Sequence, residues 1–109
     1  LACELKVRGF KVANDQNRDL FVPSKTAGCM DFFFEAKTEV STSSIYQGLG
    51  QLLFHSVTQN PKPKLIFVLP KKPDSWTGDV LKQLEIRVLL FELNQNQPTF
   101  LNLDDALKV

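Results

Sequence analysis

The segment from Cys29 to Thr38 constrains the fold of this chain more than any other part of the sequence. Nearly every position in it is apolar, which is typical of a strand that is covered on both faces. The segment contains Glu35-Ala36-Lys37 near its end, and residues two apart on a strand point to the same face. The sequence therefore predicts a central strand that presents a carboxylate and an ammonium group side by side at its end.

The elements around this strand follow from apolar periodicity and from turn and capping residues. In chain order, we predict the end of a helix at Leu1–Arg8 closed by Gly9, and then strands at Phe10–Ala13, Asp19–Val22 and Cys29–Thr38. A helix follows that is capped by one of the residues 41–44 and runs to about Gln59, and after it a strand at Leu65–Leu69, a helix capped by Asp74 or Ser75 and the fifth strand at Val88–Leu93. Thr99–Leu103 is a candidate for a further short strand outside these five, and Asp104 for the start of a last helical turn. This order favours a three-layer α/β/α domain with a central mixed five-stranded sheet.

The two longer helices have predicted buried sides. In the first, the apolar stripe comprises Ile45, Leu49, Leu52, Leu53 and Ser56, and a polar row beside it comprises Ser44, Gln47, Gln51 and His55. Gly48 and Gly50 each cost this helix about 1 kcal/mol relative to alanine, and close approach of the helix to the sheet would compensate. In the second helix, Trp76, Val80, Leu81 and Leu84 form the predicted buried side, with Trp76 as a core anchor.

Length and composition limit the class of protein. The 109 residues suffice for one domain, here a single domain over 1–109, and the first residue is Leu, so the N-terminus is expected to be trimmed. A net charge of +1 argues against a protein that coats nucleic acid by charge alone. No apolar run approaches the ~20 residues of a membrane span. For Cys3 and Cys29, a disulfide and two buried free thiols are both open; we favour free thiols in a reducing, cytoplasmic location.

The ordered set of polar residues resembles the PD-(D/E)XK nuclease superfamily, whose fold is called restriction-endonuclease-like. The resemblance covers the whole chain in element order. It is carried by Glu4 in the first helix, Asp19 at the start of a strand, Glu35-Ala36-Lys37 at the end of the next strand, and Gln51 in the helix that follows. Glu-x-Lys alone is a weak signal, and the set on the expected elements is more specific. A Pro often precedes the family's first acid, whereas Arg18 precedes Asp19 here.

The resemblance implies a Mg²⁺-dependent DNA endonuclease in which Mn²⁺ can substitute for Mg²⁺. Asp19 and Glu35 would bind the metal, and Lys37 would position the attacking water and offset charge on the phosphate. Gln51 would orient the lysine or the water, with Gln47 and Glu4 in supporting roles. DNA contacts would come from Arg18, Lys71 and Lys72. A homodimer is also implied, since one active site cuts one strand.

Two assignments need a choice between neighbours. Asp31 competes with Asp19 as the first acid, but it lies four residues before Glu35, about 13 Å away along one strand. A shared Mg²⁺ needs both oxygens at ~2.1 Å, so we favour Asp19. Gln47 and Gln51 lie one helical turn apart on the same face, and Gln51 fits the family pattern better.

Three other interpretations of the chain remain open. Glu35 and Lys37 alone would be an ordinary solvated pair at a strand end. The chain can also be a non-catalytic DNA-binding or regulatory module on the same fold, or an unrelated small α/β interaction domain. Metal binding that depends on Asp19 and Glu35 discriminates among them.

Overall fold

The protein is a mixed α/β structure, and the computed structural model describes its residues 1–9, 20–23, 30–58, 62–94 and 97–108. Its helices and strands in these segments, in chain order, are α1 (Ala2–Val7), β1 (Leu20–Pro23), β2 (Met30–Ala36), α2 (Thr42–Ser56), β3 (Lys64–Leu69), α3 (Ser75–Gln83), β4 (Ile86–Asn94), β5 (Gln97–Phe100) and α4 (Leu103–Ala106). The predicted strand Phe10–Ala13, Asp19 and the predicted helix end at Gln59 lie outside the described residues.

The strands lie side by side in the order β1-β2-β3-β4-β5. β1 runs antiparallel to β2, while β2, β3 and β4 are parallel to one another. These four strands form a mixed sheet. β3 pairs with β4 as far as Leu90, and β5 pairs with β4 from Phe91 onward, so β5 extends only the distal half of β4. β2 has a partner on each side, which confirms its predicted central position.

Successive residues of β2 and β3 belong alternately to two apolar clusters on opposite faces of the sheet, because side chains on a strand alternate between its two faces. Phe32, Phe34, Ile66 and Val68 join Leu5 of α1 and three residues of the α4 region, Leu103, Ala106 and Leu107. Phe33, Leu65, Phe67 and Leu69 join Ile45 and Leu52 of α2 and Leu81 of α3. Three phenylalanines in a row thus stabilise both sides of the sheet.

Of the four possible cap residues at 41–44, the structure uses Ser41. The Ser41 hydroxyl accepts a hydrogen bond from the Ser44 backbone N–H at 3.2 Å, which is the N-cap contact. The side of α2 that is buried against the sheet comprises Ile45, Gly48, Leu52 and Ser56. Leu53 is 37% exposed, so its predicted place in the stripe is wrong; it lies about 100° around the helix from Leu52.

α3 begins at the predicted cap. The Asp74 carboxylate accepts from the Thr77 backbone N–H at 2.7 Å, and this hydrogen bond holds the pKa of Asp74 below its ordinary value. The predicted buried side is only partly correct. Leu81 is buried, but Trp76 is 71% exposed and Leu84 is 40% exposed. Trp76 is therefore a surface residue, because it lies in the first turn of α3, beside an open groove.

α1 and α4 are tied together at the surface. Arg8 Nε donates to Asp104 Oδ1 at 2.7 Å, and Arg8 NH1 donates to Glu4 Oε2 at 3.0 Å. Both contacts raise the pKa of Arg8 above its ordinary value. Gly9 follows α1 with φ +89°, a left-handed conformation that favours glycine. Cys3 on α1 is a free thiol and exposed, so its predicted burial is wrong; Cys29 lies outside the described residues.

No helix in the described segments is both long and apolar enough to cross a bilayer.

Asn102 joins the end of β5 to the middle of β4. Its side-chain oxygen accepts from Leu90 N at 2.9 Å, and its amide nitrogen donates to Val88 O at 2.8 Å. We expect Asn102→Ala to lower the free energy of unfolding by about 1–3 kcal/mol, because it leaves two part-buried backbone groups without these partners. Urea denaturation measures this loss. Asn94→Ala, at the exposed end of β4, is the matched control, and equal stabilities of the two variants would contradict the bracing role of Asn102.

Candidate functional site

Glu35 lies near the end of β2 and is buried beneath α2. Its side chain is 2% exposed, and it pairs in register with Phe67 of β3. The point of closest approach on α2 is Gly48. A Cβ atom built there would lie 3.3 Å from Glu35 Cγ and 2.5 Å from Phe67 Cζ. The absence of a side chain at Gly48 therefore lets the helix cover the carboxylate. Glu35 is not the solvated surface acid that an isolated Glu-x-Lys pair would supply.

Lys37 follows the last residue of β2 and stays attached to the sheet. Its backbone N–H donates to Val68 O at 3.0 Å. Its side chain is half-buried, and Nζ donates to Gln47 Oε1 at 3.0 Å. The ammonium group is thus held beside α2 by a hydrogen bond that leaves its other two protons available.

Gln51 contacts Glu35. With its nitrogen toward the carboxylate, the Gln51 amide donates to Glu35 Oε1 at 3.0 Å and also to Oε2. These hydrogen bonds fix the orientation of the carboxylate. They also offset part of the free-energy cost of removing it from water.

Two glutamines one helical turn apart therefore each hold one member of the predicted pair. Gln47 bonds to Lys37, and Gln51 bonds to Glu35. The sequence favoured Gln51 and gave Gln47 a supporting role, and the structure places both glutamines in contact with the pair. The four side chains form one polar group on the α2 face of the sheet, at the carboxyl ends of the parallel strands. Such edges are the usual place for ligand sites in open α/β sheets.

The remaining predicted site residues are distributed as follows. Glu4 is exposed on α1 and pairs with Arg8, and no hydrogen bond or ion pair within the described segments connects it to Lys37 or the two glutamines. Asp19 and Arg18 lie outside the described residues. Lys71 and Lys72 are exposed in the loop after β3, and neither forms an ion pair with another described residue.

The Glu35 carboxylate is a ligand of the type that hard divalent cations such as Mg²⁺ prefer. The described segments contain no cluster of three or more His, Cys, Asp or Glu side chains that could hold a metal ion.

The structure also contains a groove that was not predicted. It lies between α2 and α3, has a volume of about 520 Å³, and is lined by residues that include Tyr46, Trp76, Lys71 and Lys72. Tyr46 adjoins Gln47 in sequence and is 62% exposed. Apolar periodicity placed Trp76 on the buried side of α3, which is wrong. The sequence signal that could have indicated the groove is Tyr46, an aromatic residue that falls outside the apolar stripe of α2.

No family model, no curated protein and no solved structure matches this chain.

Proposed function

We propose that this chain is a Mg²⁺-dependent DNA endonuclease that hydrolyses phosphodiester bonds, with Mn²⁺ able to substitute. We further propose that its sheet and helices form the three-layer, five-stranded arrangement of the restriction-endonuclease-like fold. The observation that carries the proposal is the buried Glu35 carboxylate, held by Gln51, beside a Lys37 ammonium held by Gln47. A solvated surface pair would need neither burial nor two dedicated hydrogen-bond partners.

The second acid of the proposed metal site is Asp19. Support comes from the pairing of β1 with β2, in which Leu20 lies opposite Phe34. Asp19 precedes Leu20 in sequence and Glu35 follows Phe34. If the antiparallel pairing continued by one residue, Asp19 would lie opposite Glu35. Residues directly opposite each other in such a pair have their side chains on the same face of the sheet. Asp31, at the other end of β2 and exposed, is a poorer candidate.

Each residue has a separate part in the proposed reaction. Asp19 and Glu35 would hold the cation, which when bound supplies a lowered pKa for water and a positive charge near the phosphate. Lys37 would donate from Nζ to the attacking water or to a phosphate oxygen, and so stabilise the negative charge that develops on the phosphate. Gln47 and Gln51 would keep the ammonium and the carboxylate in place, so that little reorganisation is needed during the reaction.

The metal site can be tested by calorimetry with Mg²⁺ and Mn²⁺. We expect Glu35→Gln and Asp19→Asn each to weaken metal binding at least ~10-fold, because each removes one negative oxygen ligand. Asp31→Asn is the matched control, because it removes the same charge from the far end of β2 and should bind metal as the unaltered protein does. Metal binding that survives both Glu35→Gln and Asp19→Asn would contradict the proposed site.

The reaction can be tested by incubating the protein and Mn²⁺ with plasmid, linear, single-stranded and branched DNA. We expect cleavage of at least one substrate, abolished by EDTA and by Glu35→Gln. Metal binding without cleavage of any substrate would instead favour a non-catalytic DNA-binding or regulatory module. The dimer implied by the resemblance stays a prediction, and sedimentation of the protein with and without DNA tests it.

A further inference from the structure

The groove between α2 and α3 combines exposed aromatic side chains with exposed lysines. Two aromatic side chains, Tyr46 and Trp76, line it with 62% and 71% of their surface exposed. Large aromatic side chains gain most of their stabilising effect from burial, and an exposed pair in one concavity offers flat apolar surface to a ligand. The floor of the groove is apolar as well, through Ile45, Leu49 and Leu81.

The same groove carries positive charge. Lys71 and Lys72 line it, and both are exposed without an ion pair to any other described residue. Asp74 also lines it, but its Oδ1 accepts from the Thr77 N–H as the cap of α3. This hydrogen bond does not neutralise the carboxylate, so the lining carries two positive charges and one negative charge.

The groove lies at the same sheet edge as the polar group of Glu35, Lys37, Gln47 and Gln51. Lys37 N donates to Val68 O, and Lys71 follows Val68 by three residues in the chain. Tyr46 adjoins Gln47 on α2. The groove and the polar group are therefore formed by neighbouring elements at one edge of the sheet.

We propose, resting on the endonuclease function proposed above, that this groove binds an unpaired segment of DNA. Bases stack on Tyr46 and Trp76, and the phosphates between them lie against Lys71 and Lys72. Exposed aromatic rings interleaved with lysines are the combination by which proteins bind single strands, since every base has a flat face to stack and every linkage has a charge. A duplex keeps its bases stacked on one another and cannot use the rings. The enzyme is therefore specific for DNA that carries a single-stranded segment.

Fluorescence titration tests this directly, because Trp76 is the only tryptophan in the chain. The titration is done in EDTA, with a 16-nucleotide oligo(dT) as the ligand and a blunt duplex of equal length as the comparison. We expect the oligo(dT) to quench Trp76 emission and to bind at least ~10-fold more tightly than the duplex. Equal binding of both DNAs, or binding without quenching, would overturn the proposal.

Variants separate stacking from other effects, with binding followed by the anisotropy of a labelled oligo(dT). Tyr46→Ala and Trp76→Ala should each weaken binding about tenfold, the effect of one lost base stack. Phe54→Ala is the matched control, since Phe54 is on the same helix as Tyr46, is 76% exposed and lies outside the groove. An equal loss in Phe54→Ala would mean that general surface apolarity, not this groove, holds the DNA.

The contribution of the two lysines to DNA binding can be measured from the salt dependence of the affinity. The double variant Lys71→Ala/Lys72→Ala should make the slope of log affinity against log salt shallower by ~1.4, which corresponds to the loss of two phosphate contacts on a single strand. The control Lys62→Ala/Lys82→Ala removes the same charge from a different groove and should leave the slope unchanged. Identical slopes in the two double variants would contradict the assignment of the phosphates to Lys71 and Lys72.

A second copy of this chain or an apolar peptide could also cover the two rings. If Trp76→Ala dissociates an oligomer in sedimentation while oligo(dT) affinity is unchanged, the groove is a protein interface and the proposal is wrong. Because binding is measured in EDTA, its failure is distinct from failure of the metal-dependent reaction. Cleavage with no preference for single-stranded segments would overturn the groove proposal alone.

Discussion

On the proposed nuclease function, we expect Lys37→Ala to reduce the rate of phosphodiester cleavage by roughly 10³-fold, because it would remove the cation proposed to stabilise the developing charge on the phosphate. Metal affinity should change little, since an ammonium group is not a metal ligand and Glu35 keeps its contact with Gln51. Single-turnover cleavage and metal calorimetry on the same preparation measure the two effects. Together they separate a role in the reaction from a role in assembling the site.

Two further variants define the role of this lysine. Gln47→Ala removes the hydrogen bond that holds Nζ and should reduce kcat about tenfold, the effect of one lost hydrogen bond, without a matching change in KM. Lys6→Ala is the control, since Lys6 is exposed on α1, which packs on the other face of the sheet. Full cleavage activity in Lys37→Ala would refute the assigned role, and loss of metal binding in it would show that the lysine is structural.

Gly48→Ala will destabilise the protein by about 1–3 kcal/mol, because the new methyl group enters a filled core. A Cβ at this position would lie 2.5 Å and 2.8 Å from two ring atoms of Phe67. Phe67 is 0% exposed, so its ring cannot move aside without displacing other core residues. The helix must then shift outward from Glu35, and we expect metal affinity to fall as well. Urea denaturation followed by far-UV circular dichroism measures the stability.

Gly50→Ala on the same helix is the matched control and should act in the opposite direction. No atom lies within 4 Å of a Cβ built at Gly50. The substitution therefore brings only the gain in helix propensity, up to ~1 kcal/mol of added stability. Destabilisation of equal size in both variants would show that helix geometry, and not the contact with Phe67 and Glu35, accounts for Gly48.

The part of the candidate site that could be predicted from the sequence depends on local rules. The two-residue period of a strand placed Glu35 and Lys37 on one face, and the helical period placed Gln47 and Gln51 in one row. The burial of Glu35 could not be predicted this way, because it depends on how closely α2 approaches the sheet. The two glycines in α2 indicated such an approach, but only the structure shows that Gly48 makes it and Gly50 does not.

The incorrect predictions come from the ends and margins of helices. Apolar spacing identified Leu81 as buried, but it could not show where the sheet stops covering α3. Trp76 and Leu84 lie at the two ends of that helix, and both are exposed. Periodicity gives the direction of a side chain relative to its neighbours, whereas burial depends on a partner from a distant part of the chain.

The exposure of Trp76 has a practical consequence for every spectroscopic experiment on this protein. An indole that is already in contact with water in the native state has little further change of environment when the chain unfolds. Its emission is therefore a poor measure of global unfolding. The same property makes it a selective reporter, because a blue shift or quenching of that emission signals an event at the groove while the rest of the molecule stays folded.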